Sequence, residues 1–154
     1  MLLEILIVSA LPISEIRGGI PLAIYYGLDP ISAYILAFIG NLIPIPFLLI
    51  FLENIIKLMG KIEILAKPYN KLLSRVEKRR KLIEKYGYFG LTLFVAIPLP
   101  ITGAWTASLL ATILNLRKLK SFVFISIGVA IAGFIVLISS LGVLSLSELF
   151  RQHL

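Results

Sequence analysis

Glu15 and Arg17 are the first residues in the chain placed where ionisable groups could do chemistry. They stand within Ala10-Leu11-Pro12-Ile13-Ser14-Glu15-Ile16-Arg17-Gly18-Gly19, in an otherwise apolar stretch. A charge at the centre of a bilayer costs at least about 2.5–3.5 kcal/mol on insertion scales, so a charge retained there marks function by default. A second stretch reads Ala96-Ile97-Pro98-Leu99-Pro100-Ile101-Thr102-Gly103-Ala104-Trp105-Thr106. It has the same proline break and a threonine for Ser14, but Gly103 stands for Glu15 and Trp105 for Arg17. Pro12, Pro98 and Pro100 are the expected breaks, because a residue before proline leaves the helical region. Ser14 suits the N-cap of the helix that follows.

If an outgoing helix begins at each break, two helix N-termini with unpaired N–H groups point into one cavity and favour phosphate or carboxylate. Arg17 adds to that preference. Glu15 opposes it unless protonated, which makes Glu15 a candidate proton or cation coupling site. The candidate substrate- or ion-binding set is therefore Ser14, Glu15, Arg17, Asn41, Thr102, Gly103 and Trp105. The competing reading of Glu15 and Arg17 is an ion pair that only neutralises itself. Residues two apart do not face each other on a helix, so that pair requires non-helical backbone at the break. Asn41, with Gly40, Pro44 and Pro46 around it, is either part of a packing kink or a polar group lining the cavity.

The elements that must position these residues follow from composition. The chain has 154 residues, 59% of them hydrophobic, 15% charged and none cysteine, with a mean hydropathy of +1.02. A soluble domain carries about 45–50% apolar and about 25% charged residues, so this chain lacks the polar surface to cover its own core and reads as a membrane protein. Disulfides, thiol nucleophiles and cysteine zinc sites are excluded. The net charge is +7, and the segment 57–85 holds all of that excess, with ten of the fifteen basic residues and three of the eight acidic ones. Within it Leu72, Leu73, Val76, Leu82 and Ile83 recur at near-helical spacing under a Lys/Arg face. This predicts a basic amphipathic linker on the cytoplasmic lipid surface, not a nucleic-acid site, for which there is no motif or aromatic interleaving. The start, Met1-Leu2-Leu3-Glu4, lacks the basic region and cleavage site of a removable signal peptide.

Sliding the chain against itself by 88 positions sets Leu11-Pro12-Ile13-Ser14 on Leu99-Pro100-Ile101-Thr102, Leu22-Ala23 on Leu110-Ala111, and Ile39-Gly40 on Ile127-Gly128. Two repeats are expected, 1–56 and 86–147, with a tail at 148–154 outside. Each would hold a broken segment, 1–28 or 86–116, and a transmembrane helix, 31–56 or 121–144. A single crossing by 86–116 would put Arg117, Lys118 and Lys120 outside, against the positive-inside rule, whereas a re-entrant hairpin keeps them inside. The first hairpin then dips from outside and the second from the cytoplasm. The fold expected is an all-α integral membrane protein with an inverted-topology repeat, multi-pass in the plasma membrane, with its site where the tips meet at the midplane.

No His-Glu-x-x-His, Gly-x-Ser-x-Gly or Walker loop occurs, and no enzyme, metal or cofactor is expected. His153 is a lone terminal residue; Glu4 and Glu53 lie near span ends. The partners expected are membrane lipids and a small-molecule, ion or lipid substrate. Self-association would cover apolar surface, although a pseudo-symmetric monomer would suffice. The competing class is a non-transporting membrane scaffold that recruits a partner or anionic lipid through its basic helix.

Lys85-Tyr86-Gly87, Gly90-Leu91-Thr92-Leu93-Phe94 running through Val95 to Thr106, and Ser14-Glu15-Ile16-Arg17-Gly18-Gly19-Ile20-Pro21 resemble the putative small multidrug export protein family over nearly the whole chain. That family is similar, more distantly, to the DedA/VTT membrane proteins. The likeness implies a pseudo-symmetric core of two re-entrant hairpins and lipid scrambling, polyprenyl-phosphate transport or proton-coupled export. It places the membrane-embedded acidic residue of DedA proteins on Glu15. Their second hairpin usually carries arginine near its tip, where this chain has Trp105 and Thr106.

Overall fold

The computed structural model describes residues 1–59, 80, 81, 83, 85–97 and 103–152. Most of the basic linker and the second break, with Pro98, Pro100 and Thr102, lie outside the described residues. Among the described residues seven helices follow in order: α1 (Leu2–Ala10), α2 (Glu15–Tyr25), α3 (Pro30–Leu42), α4 (Pro44–Met59), α5 (Tyr88–Ala96), α6 (Ala104–Ile113) and α7 (Lys118–Gln152). No strand occurs among the described residues.

Proline chemistry ends both short first helices. Leu11, ahead of Pro12, is extended at φ −70° and ψ 143°. Ile97, ahead of Pro98, does the same at φ −77° and ψ 114°. Each break releases a new helix, α2 or α6, and these end alike. After α2, Gly27 takes φ +82°, and the N–H groups of Gly27 and Leu28 donate to the carbonyls of Ile24 and Ala23 at 2.9 and 3.1 Å. After α6, Asn115 takes φ +52°, and the N–H groups of Asn115 and Leu116 donate to Thr112 and Ala111 at 3.1 and 2.9 Å. Both are Schellman turns, using the two residue types that tolerate a left-handed backbone, and they stand 88 positions apart. Asp29 then caps α3, accepting from the Ser32 N–H at 3.0 Å with Pro30 in the first helical turn.

Among the described residues two stretches are long and apolar enough to cross a membrane: Pro30–Asn54, which runs through the α3–α4 junction, and Lys118–Val143. At 1.5 Å per residue they reach about 37–39 Å, whereas α1, α2, α5 and α6 reach only about 14–17 Å, half a hydrocarbon core. Asn41, Ile43 and Pro44 mark the α3–α4 junction, where proline removes a backbone donor. The last helix is longer than the segment 121–144 read from sequence, and residues 148–152, expected as a tail, continue it.

The long helices turn apolar side chains outward. Ile31, Ile35, Ile39, Ile43 and Phe47 form an exposed stripe on α3 and α4, and Leu119, Val123, Ile127, Ile131 and Ile135 repeat it on α7, again 88 positions on. Water would not tolerate such continuous apolar faces, but lipid chains do. The core beneath them is built from α2, α4, α5, α6 and α7, with Ile16, Ile20, Ile45, Leu91, Leu110, Ile125 and Val129 enclosed.

Two glycines let helices approach closely. A Cβ on Gly40 would lie 2.8 Å from the Ser9 Cβ and 2.9 Å from the Leu6 carbonyl; one on Gly128 would lie 2.7 Å from the Val95 Cβ and 2.8 Å from the Thr92 carbonyl. The contacts match, but Leu6 and Thr92 are 86 positions apart, as are Ser9 and Val95. The 88-residue offset therefore holds only after the breaks, and the register of the helices before them is shifted by two residues.

Candidate functional site

The two broken segments meet at their tips. Glu15 opens α2 with φ +49°, a left-handed backbone that costs a non-glycine residue about 1–2 kcal/mol. This conformation supplies the irregular backbone at the tip that a helix would not allow. The Glu15 side chain is 5% exposed, and its Oε1 accepts the Trp105 N–H at 3.4 Å. The Ala104 N–H donates to the same carboxylate. These are first-turn donors of α6, which have no partner inside their own helix. The α6 N-terminus is thus capped by a carboxylate from 90 residues away.

Gly103 makes the approach possible. A Cβ there would overlap both carboxylate oxygens of Glu15. The backbone of Gly103 is extended, at φ −110° and ψ −172°, so it is space around the carboxylate and not backbone freedom that requires glycine. Trp105 ties the tips a second time: its indole Nε1–H donates to the Ala10 carbonyl at 3.0 Å, satisfying an acceptor at the C-terminal end of α1. Sequence reasoning missed that acceptor because a backbone carbonyl has no residue signature. The signal was the indole N–H itself, which needs a partner when removed from water.

The remaining candidates separate. Ser14 occupies the N-cap position of α2 without capping it; its hydroxyl donates instead to the Val8 carbonyl and closes the first break on itself. Arg17, two residues past Glu15, lines a cavity of about 780 Å³ between α2 and α7. That cavity was not foreseen, since its far wall, including Ser139 and Ser140, lies on α7 with no charge or motif to single it out. Asn41 is 1% exposed, and neither its side-chain nitrogen nor its oxygen has a hydrogen-bond partner. Ala37 packs on Gly19 across the antiparallel α2–α3 pair. One turn further along each helix from that contact are Asn41 and Glu15, which brings the two to one level.

The ends of each short-helix pair are joined. Tyr88, at the start of α5, accepts the Arg117 N–H on its hydroxyl at 3.0 Å, beyond the end of α6. Glu4, in α1, is hydrogen-bonded by Tyr26, at the end of α2. Lys120 lies 5.8 Å from the Tyr88 ring centre, at the start of α5. The helix N-terminus expected to attract a substrate anion already holds the chain's own carboxylate, and Arg17 faces a separate space.

No curated protein and no solved structure matches the chain. The model of a family described as putative small multi-drug export protein matches residues 15–135, from the start of α2 into α7, and the chain belongs to that family.

Proposed function

We propose that the protein is a multi-pass plasma-membrane transporter, rather than an enzyme, in which two re-entrant hairpins, α1–α2 and α5–α6, enter the bilayer from opposite sides and meet at a midplane gate. The single observation that carries this reading is the Glu15 carboxylate seated on the α6 N-terminus. Helix pairs half a bilayer long, each with its ends joined, support the re-entrant path. The matched turns, glycine contacts and outward stripes support an inverted-topology repeat.

In this reading the tip contact is a latch. The ionised carboxylate forms charge-assisted hydrogen bonds with α6, roughly twice as strong as neutral ones. A proton arriving at Glu15 removes the charge, weakens the attachment and lets the tips part for substrate. Trp105 holds the α1 end in register while the latch is closed. Substrate, in the Arg17 cavity beside the latch, moves when the gate opens, so proton movement and export are linked through one side chain. A cavity open to lipid admits amphiphiles and headgroups, as DedA-like translocation requires.

The test uses purified protein in liposomes, with Glu15→Gln and Arg17→Ala beside the unaltered chain, assayed for movement of fluorescent phospholipid and for pH-gradient-driven dye movement. The expected result is loss of pH dependence in Glu15→Gln and reduced turnover in Arg17→Ala. Unchanged activity in both variants overturns the assignment.

A further inference from the structure

The 780 Å³ cavity beside the latch falls within the range of drug-sized sites, about 300–1,000 Å³. One wall is α2, with Arg17, Pro21 and Tyr25; the other is α7, with Val136, Ser139 and Ser140. The lining residues recur with helical periodicity over residues 17–25 and 135–143, so the cavity is a groove about two turns long. Ile16 packs at Gly133, which puts the Arg17 end of the groove beside the tips. Tyr25, 83% exposed, marks its open end.

The lining carries one fixed charge, the half-buried Arg17 guanidinium. A guanidinium carries five N–H donors in a planar fork that matches the oxygens of a carboxylate or phosphate. The serines do not compete for an anion: Ser139 and Ser140 both donate to their own helix, to the Ile135 and Val136 carbonyls at 2.8 Å, so their hydroxyl hydrogens are already engaged. The remaining surface is predominantly aliphatic and aromatic. A cationic amphiphile would bring its charge against Arg17, whereas an anionic one would complement it.

We infer that this groove binds amphiphilic anions, molecules with one carboxylate- or phosphate-like group and an apolar body, with the anionic group on Arg17 and the body along Pro21, Tyr25 and Val136. This assignment rests on the transporter reading for its purpose, but its content is equilibrium selectivity, which is measurable without transport. The chemistry is shared by a free fatty-acid-like solute and by the headgroup of an anionic lipid.

The probes are a dansyl-labelled fatty acid and a dansyl-labelled alkylammonium of equal chain length, titrated into the full chain in nanodiscs of zwitterionic lipid, with empty nanodiscs as the partition baseline. The fatty acid is expected to bind above baseline and the alkylammonium to stay at it. Arg17→Gln should weaken fatty-acid binding about tenfold or more, as loss of a charged hydrogen bond implies, while Arg17→Lys stays within about threefold. Val136→Trp should abolish binding by filling the groove. Thermal unfolding of each variant separates lost binding from lost fold, and Arg17→Lys serves as the folded rescue. Nanodiscs doped with phosphatidylglycerol assign the source: displacement of the probe identifies lipid, and its retention identifies a free solute. Equal binding of the two probes, or unaltered binding by folded Arg17→Gln, overturns the inference. Selective binding without transport in liposomes removes the transporter reading alone.

Discussion

Gly103→Ala is the smallest change that should break the link between the tips. The added methyl would occupy the volume of the Glu15 carboxylate, so the carboxylate has to leave the first turn of α6. Two effects of opposite sign follow. Alanine is allowed at the extended backbone of Gly103, and replacing glycine at an allowed position stabilises by about 0.4–1 kcal/mol through the unfolded chain. Against this, the hydrogen bonds from Trp105 and Ala104 to a charged acceptor are lost, at about 1.5–3 kcal/mol. The net expectation is destabilisation by about 0.5–2.5 kcal/mol. In a Glu15→Ala background the methyl meets no carboxylate, and the same substitution should become neutral or slightly stabilising. Unfolding of the four proteins in detergent by SDS titration gives the double-mutant cycle, and the coupling should be about 1.5–3 kcal/mol. Additivity within about 0.5 kcal/mol would refute the contact between Gly103 and Glu15 on which the site is built.

Other consequences are open to direct measurement. Gly40→Val and Gly128→Val should each destabilise by about 1–3 kcal/mol through overpacking, and by similar amounts, because the two glycines sit on matching backbone carbonyls; unfolding in detergent checks both. With no native cysteine, single cysteines at Asp29 and Asn115 should react with an impermeant thiol reagent from opposite faces of the membrane, and labelling from the same face would remove the inverted topology. The Ser32 hydroxyl and backbone N–H hold the Asp29 carboxyl below its usual value. The folded value is the lower one, so this cap stabilises above the unfolded carboxylate range and its contribution is lost as pH falls through the folded value. Stability measured across about pH 2–5 should retain that slope in the unaltered chain and lose it in Asp29→Asn, which keeps a capping side chain without a titrating group.

Much of the backbone plan was legible because it depends on local chemistry. Pro12 and Pro98 announce the ends of α1 and α5, Gly27 announces the turn before α3, and sustained hydropathy announces the long spans. The two-residue shift in register across the breaks was not legible, since sliding prolines onto prolines aligns the tips and hides how the preceding helices line up. Of the candidate residues, Glu15, Gly103 and Trp105 come together while Ser14, Arg17 and Asn41 separate, and that wiring was not legible. Burial of a lone glutamate in apolar sequence demands a partner, but whether that partner is Arg17, two residues away, or an N–H on Trp105 depends on which donors lie near the carboxylate after packing. The Arg17 groove was hidden for a similar reason: its second wall is an ordinary apolar stretch of α7 that becomes informative only beside α2.

The capping of α6 by Glu15 also bears on the order of synthesis. The ribosome makes the first tip some 90 residues before the N–H groups that will receive its carboxylate. Until those donors emerge, Glu15 has no such cap, and settling it ionised in a nonpolar interior would cost about 2.5–3.5 kcal/mol or more. The first tip therefore reaches its capped state only once α6 has been made. A single carboxylate thereby ties completion of the first tip to completion of the second.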